Sequence, residues 1–231
     1  MGTIYLVRHG QASFGADDYD QLSPLGTEQS RMLGDWIRHC KLSVDRVLMG
    51  GNRRHRQTAL ACLSAVPQCP PESQWRVVAG FSEFDHGEVM RRFRPDLSDD
   101  TAVNAWLAGK TNARREFQKV FGPAFQRWVM GEQDGYVESY AAFRKRCWSA
   151  LTGVLQDEAG GTWIFTSGGP ITAIVQQLLG IDKERIAELT WSLVNTGVTR
   201  LECRAGRVRA TTINQYAHLE QASGQEWITY R

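Results

Sequence analysis

A chain of 231 residues, 42% apolar and 23% charged, is long enough for one large core, and a net charge of +2 leaves no charge block suited to DNA, RNA or an anionic membrane. Its five cysteines (Cys40, Cys62, Cys69, Cys147 and Cys203) are odd in number and scattered without metal-ligand spacing, which excludes a disulfide framework and argues against zinc. The amino terminus enters a strand pattern without a basic segment and apolar signal core, and no apolar stretch approaches membrane-spanning length, so a cytoplasmic protein with a small-molecule ligand is expected.

In chain order, residues 3–7 read as a strand and lead into Arg8-His9-Gly10. That tripeptide sets a nitrogen nucleophile beside a planar cation. The pairing suits phosphoryl transfer, because a phosphate dianion must be neutralised before a nucleophile can approach, and Arg offers a two-point fork. Ser23-Pro24-Leu25-Gly26-Thr27-Glu28 holds capping residues ahead of a helix over 29–39, where Met32, Leu33, Trp36 and Ile37 recur at helical spacing.

A second strand is expected over 44–49 and a second helix over 56–66, which residues 67–71 end with prolines. Between them, Gly50-Gly51-Asn52-Arg53-Arg54-His55-Arg56 puts three arginines where a helix begins, and helix amino termini attract anions. A third strand is expected over 75–78. Phe81-Ser82-Glu83-Phe84-Asp85-His86-Gly87-Glu88 then clusters three carboxylates and a histidine, which suits proton donation to a leaving alkoxide. Residues 90–136 break the alternating rhythm and read as an inserted helical cap. Its series Phe117, Phe121, Phe125, Trp128 is expected to be a buried helix face.

A buried strand over 162–166 is followed by Ser167-Gly168-Gly169-Pro170, which is built like an anion cradle, with Pro170 at a first helical position and a helix over 171–179. No base for a serine nucleophile can be identified near Ser167 in the sequence. Runs over 199–203 and 207–213, joined by Arg204-Ala205-Gly206, read as an antiparallel hairpin, so the α/β alternation closes on a mixed sheet.

These segments, in this order, resemble the histidine phosphatase superfamily over most of the chain. Leu6-Val7-Arg8-His9-Gly10 is similar to the family signature, and Leu22-Ser23-Pro24-Leu25-Gly26-Thr27-Glu28-Gln29 to the Leu-Thr-x-x-Gly-x-x-Gln segment that follows it. Arg54-x-x-Gln57-Thr58-Ala59 resembles the second arginine motif, Phe81 to Gly87 the acid-bearing turn, and Glu138-Ser139 with Arg146 the Gly-Glu-Ser…Arg helix. Asn195 to Thr199 and Asn214…His218-Leu219 resemble the closing strands. The resemblance implies a three-layer α/β/α sandwich with a mostly parallel mixed sheet, as one phosphoglycerate mutase-like domain over 1–231 with the cap at 90–136.

It further implies that His9 is the phosphorylated nucleophile, Arg8 and Arg54 clamp the phosphoryl oxygens, Glu83 protonates the leaving group, and Ser167 and Gly168 line the phosphate site. No metal or other cofactor is implied. Ser167 stands where the family has a second histidine, and the loss of a charge-assisted bond there would cost about 1.5–3 kcal/mol of transition-state stabilisation. His55 and His86 are candidates to compensate, and a histidine restored at 167 is expected to raise the rate. The expected function is phosphomonoester hydrolysis through phosphohistidine; the alternative is a phosphate-binding pseudoenzyme, and the third choice is a phosphoglycerate mutase. Against the mutase, Gln11 to Gly15 lack the Ser-x-x-Asn pattern of that group.

Overall fold

Ile4, Tyr5, Leu6 and Val7 are all buried, because the strand that carries them is covered on both faces. That strand, β1 (Gly2–Arg8), is followed by α1 (Pro24–His39), β2 (Arg46–Met49), α2 (Arg53–Leu63), β3 (Arg76–Val77), α3 (His86–Phe93), α4 (Asp100–Leu107), α5 (Ala113–Met130) and α6 (Tyr140–Val154). The chain then forms β4 (Gly161–Thr166), α7 (Gly168–Leu179), α8 (Ile186–Ser192), β5 (Val198–Arg204), β6 (Arg207–Gln215) and α9 (Ala217–Glu220). This computed structural model describes residues 2–13, 20–131, 135–155, 160–204, 206–222 and 225–230. Residues 14 and 15, part of the stretch weighed against the mutase pattern, lie outside them, as do Ala205 of the hairpin turn and residues 132–134 of the expected cap.

The six strands form one sheet in the order β3-β2-β4-β1-β5-β6. β1 and β2 both pair parallel with β4, and β3 pairs parallel with β2. β5 and β6 extend the other side in antiparallel register. On one face, Leu33 and Ile37 of α1 and Ala59, Cys62 and Leu63 of α2 pack against Tyr5, Val7, Val47 and Trp163. On the other, Phe125, Phe143, Leu151, Ile171 and Ile174 cover Ile4, Leu6, Leu48 and Ile164. The alternation of side chains along the central strands β1, β2 and β4 therefore feeds two cores, giving the three-layer sandwich expected from the sequence.

Several boundaries differ from the sequence reading. α1 starts at Pro24, not 29, because Ser23 caps it by accepting from the Gly26 amide at 3.0 Å and proline suits the first helical position. α2 starts at Arg53, not 56, so Arg54 and His55 lie inside its first turn; Asp20 accepts the Arg53 amide at 2.8 Å and supplies a cap from a distant part of the chain. α7 starts at Gly168, which makes Pro170 its third residue and not its first. β2 begins at Arg46, and β3 shrinks to an exposed edge pair alongside Leu48 and Met49.

Phe121, Phe125 and Trp128 of α5 are buried as expected, with Phe117 partly covered. They do more than fill space. Phe84, next to Glu83, stacks on Trp128 at 4.5 Å and lies 5.5 Å from Phe125 and 5.6 Å from Phe143 (ring centroids). This aromatic cluster joins α5 and α6 to the turn that carries the carboxylates.

Candidate active site

The carboxyl ends of the parallel strands β1, β2 and β4 open at the same edge of the sheet, the usual position for a ligand crevice in an α/β fold. Arg8 ends β1 and His9 follows it, Gly50 to His55 follow β2, and Ser167 and Gly168 follow β4. His9 is 6% exposed, Arg8 7% and Arg54 4%.

His9 is held by its backbone as well as its ring. Its amide donates to Thr166 O at 2.9 Å, and its carbonyl accepts from Asn195 Nδ2 at 3.0 Å. Nδ1 lies 2.7 Å from Gly10 O, and since a carbonyl can only accept, Nδ1 carries the proton and Nε2 keeps its lone pair. Burial, with Arg54, Arg8 and His55 nearby, holds the imidazole well below its usual pKa and therefore neutral. The loop beyond is fixed by Thr58, which accepts the Gly10 amide at 3.0 Å, and by Gln29, which accepts the Gln11 amide at 2.9 Å. Gln57 accepts the Leu22 amide at 2.8 Å, so the polar positions of the second and third motifs brace the segment after His9.

Arg8 donates to Leu193 O, and Arg54 Nη1 pairs with Asp20 at 2.6 Å. A Cβ added at Gly168 would stand 3.7 Å from Arg8 Nε, which places the start of α7 against that guanidinium. The two cations thus flank His9 at the amino-terminal end of a helix, a setting that attracts a dianion.

Glu83 faces the same space. Its carboxylate accepts the Gly169 amide at 3.3 Å, and a Cβ on Gly169 would come within 2.1 Å of its Oε1, so glycine is needed there for the acid to sit against α7. Burial raises its pKa, opposed by Arg54, the Gly169 and Phe84 amides and Arg8. The carboxyl group is therefore biased toward its protonated, donating form. Two polar residues position it. Asn52 accepts the Glu83 amide at 3.1 Å, and Arg146, paired with Glu138 at 2.7 and 2.8 Å, donates to the carbonyls of Ala79, Gly80 and Ser82. Sequence reasoning missed this role of Asn52. Asn52 stands at the cap position of α2, but its side chain makes no capping bond there, which nothing in the sequence signals.

His86 lies at the rim, 34% exposed in its side chain, with Nε2 3.9 Å from Glu83 Oε2 and its ring edge-on to Phe84 at 4.3 Å. It neighbours the acid. His55 is buried at the centre: Nε2 lies 2.6 Å from Ser167 Oγ, and its ring centroid is 5.9 Å from that of His9. A base beside Ser167 was not legible in the sequence, because the two are far apart in the chain. Among the described residues, no group of three or more His, Cys, Asp or Glu side chains is placed to hold a metal ion, and no helix is long and apolar enough to cross a membrane.

Buried neutral histidines also make the fold acid-sensitive. His218, 3% exposed and bonded to Thr196 Oγ1 at 2.9 Å, has its pKa pushed down to about 3 by burial. Below the unfolded value of about 6.5 the unfolded chain binds more protons than the native one, so stability is lost as pH falls; from this group alone the loss at pH 5 is about 2 kcal/mol. Urea unfolding at pH 7 and pH 5 measures it, and the pH dependence should shrink in His218→Gln.

The sequence profile of the histidine phosphatase superfamily (branch 1) matches residues 4–216. No curated protein sequence matches the chain. Among solved structures, a mutant phosphoserine phosphatase from Entamoeba histolytica in complex with phosphoserine is similar, with a TM-score of 0.65 and 20% identity over 95% of this chain and 100% of that one. Phosphoglycerate mutase from Bacillus anthracis superposes with a TM-score of 0.64 at 16% identity, covering 94% of each chain. A mycobacterial glucosyl-3-phosphoglycerate phosphatase in complex with VO3 gives 0.62 at 17% identity, covering 93% of this chain and 99% of that one. At these identities the likeness establishes a shared fold.

Proposed function

The chain belongs to branch 1 of the histidine phosphatase superfamily, and from that premise we propose that it is a phosphomonoester hydrolase acting through phosphohistidine on His9. The observation that carries this reading is the pairing of a neutral His9, whose Nε2 lone pair is preserved by the Nδ1–Gly10 bond, with a buried Glu83 biased toward its protonated form. Pure phosphate binding has use for arginines and amides but none for a nucleophile opposite a proton donor.

The steps follow from these positions. His9 Nε2 donates its lone pair to phosphorus as the P–O ester bond breaks, the leaving oxygen takes the Glu83 proton, and Arg8 and Arg54 carry the charge on the equatorial oxygens. Water then attacks phosphohistidine, giving its proton to the Glu83 carboxylate and returning the bonding pair to Nε2, which restores both groups. We assign phosphate contacts to Ser167 and Gly168 as well, and the role of cap over the site to 90–136, through the aromatic packing of α5 on Phe84. The five free cysteines agree with a cytoplasmic setting.

The substrate class is a small phosphomonoester. Solved relatives hold phosphoserine and 3-phosphoglyceric acid, which supports esters of compact carboxylated alcohols as the first panel. Phosphate release from that panel by purified protein tests the reading; absence of release across it would favour the second reading, a binding pseudoenzyme, which Ser167 in place of a cation motivates. A mutase comes third.

Arg146 gives a separate expectation. Arg146→Lys loses the fan of bonds to the Glu83-bearing turn, so kcat on alkyl phosphates should fall about tenfold, with much less effect on an aryl phosphate whose leaving group needs no proton. Comparing kcat for the two esters in the variant measures it.

A further inference from the structure

Ser167 sits at the amino-terminal cap of α7, where a serine ordinarily turns its hydroxyl back onto the amides of the first turn. That use is closed to it here. Pro170, the third helical residue, has no amide proton, and the Gly169 amide is committed to Glu83. The hydroxyl makes no capping bond and instead meets His55 Nε2 at 2.6 Å, with Arg54 Nη2 at 3.5 Å.

The imidazole is equally constrained. His55 is fully buried, and its Nδ1 faces the Gly50 backbone without a well-aligned hydrogen bond. A Cβ on residue 50 would stand 2.6 Å from that nitrogen and 2.3 Å from Phe81 O, so only glycine there leaves room for the ring. Gly50 at the end of β2, His55 in the first turn of α2 and Ser167 at the start of α7 thus form one interlocked set.

We infer that His55 is a positioning residue for phosphoryl transfer, its Nε2–H donating to Ser167 Oγ so that the hydroxyl proton is turned toward a phosphoryl oxygen. The inference rests on the phosphatase reading and deepens it. Burial and the adjacent Arg54 hold His55 in its neutral form, which has a single ring proton. With that proton on Nε2, serine accepts from histidine and is left with one proton to give. With the opposite tautomer the hydroxyl would point back at the ring, away from the substrate. Recruitment of the phosphoryl group selects the first arrangement, because an anionic oxygen is the stronger acceptor.

The role separates from plain packing by what each substitution retains. His55→Ala removes the donor, and kcat on the most active phosphomonoester should fall about ten- to a hundredfold with little change in KM. His55→Gln places an amide donor where Nε2 stood and should recover most of that loss. If Gln is as impaired as Ala while both remain folded by thermal melting, or if Ala is unimpaired, the positioning role is wrong.

A swap provides a second arm. Ser167→His alone brings a ring into a space His55 already fills, so its kcat should fall, contrary to the expectation from sequence. His55→Ala with Ser167→His supplies the imidazole from the other side, and its kcat should exceed that of either single variant by at least about tenfold. Additive losses would overturn the inference.

Orthovanadate binding, followed by tryptophan fluorescence, distinguishes this failure from failure of the phosphatase reading. A wild-type protein inert toward every ester, yet binding vanadate at least about tenfold more tightly than His55→Ala and restored by His55→Gln, would refute turnover while keeping the positioning role. Turnover with vanadate affinity and kcat both indifferent to His55 would do the reverse.

Discussion

Replacing His9 by alanine should lower phosphomonoester turnover by at least about four orders of magnitude while leaving inorganic phosphate affinity within a few-fold of wild type. The separation follows from how the two tasks are divided in the site. On the proposed reading, the charge that attracts phosphate is that of Arg8, Arg54 and the amino-terminal end of α7, none of which depends on the imidazole. On the same reading, the bond to phosphorus depends on Nε2 alone. Residue 9 keeps its place beyond β1 in the alanine variant, because the hydrogen bonds that fix it to Thr166 and Asn195 use its amide and carbonyl. Parallel steady-state kinetics and phosphate titration calorimetry check both halves. Residual turnover equal to wild type would remove His9 from the chemistry, and lost phosphate affinity would mean that the ring holds the ligand.

The second large effect belongs to Glu83 and should depend on the ester. An alkyl alkoxide is a poor leaving group without a proton, so Glu83→Gln should slow alkyl phosphates by about a hundred- to ten-thousandfold. A nitrophenolate leaves unaided, and for that ester the first step should be nearly unaffected. The pH profile gives the same partition. Burial raises the Glu83 pKa, so wild-type activity on alkyl esters should persist above the ordinary carboxylate range and fall as pH rises through the raised value. His9, with its pKa lowered, must be neutral to attack, so the acid limb should lie below the usual histidine range. In Glu83→Gln the alkaline fall assigned to this carboxyl should vanish. Equal slowing of both esters would show that Glu83 holds the site together and does not serve as its acid.

The fold was legible where local rules agree with tertiary context. An apolar run buried on both faces gave β1, capping residues gave α1 though not its start at Pro24, and small residues between strand and helix gave the turn at Ser167. The starts of α2 and α7 were misplaced because what sets them is remote: Asp20 caps α2 from another loop, and Glu83 engages the first turn of α7. The same distinction runs through the site. Arg8 and His9 are adjacent in the chain and could be read together. Asn52 on Glu83, Arg146 on the acid-bearing turn and His55 on Ser167 are contacts that no spacing encodes. His55 and His86 were both candidates by residue type, and only geometry assigns one to Ser167 and the other to the neighbourhood of Glu83.

Rapid chemical quench with a radiolabelled phosphomonoester shows whether the phosphoryl group passes through His9. The expected result is a protein-bound phosphoryl group that is stable in alkali, labile in acid, absent from His9→Ala and located on His9 by peptide mass spectrometry. An acid-stable phosphoryl group on Ser167, with the buried His55 as its base, or steady turnover with no labelled protein at any quench time, would contradict it.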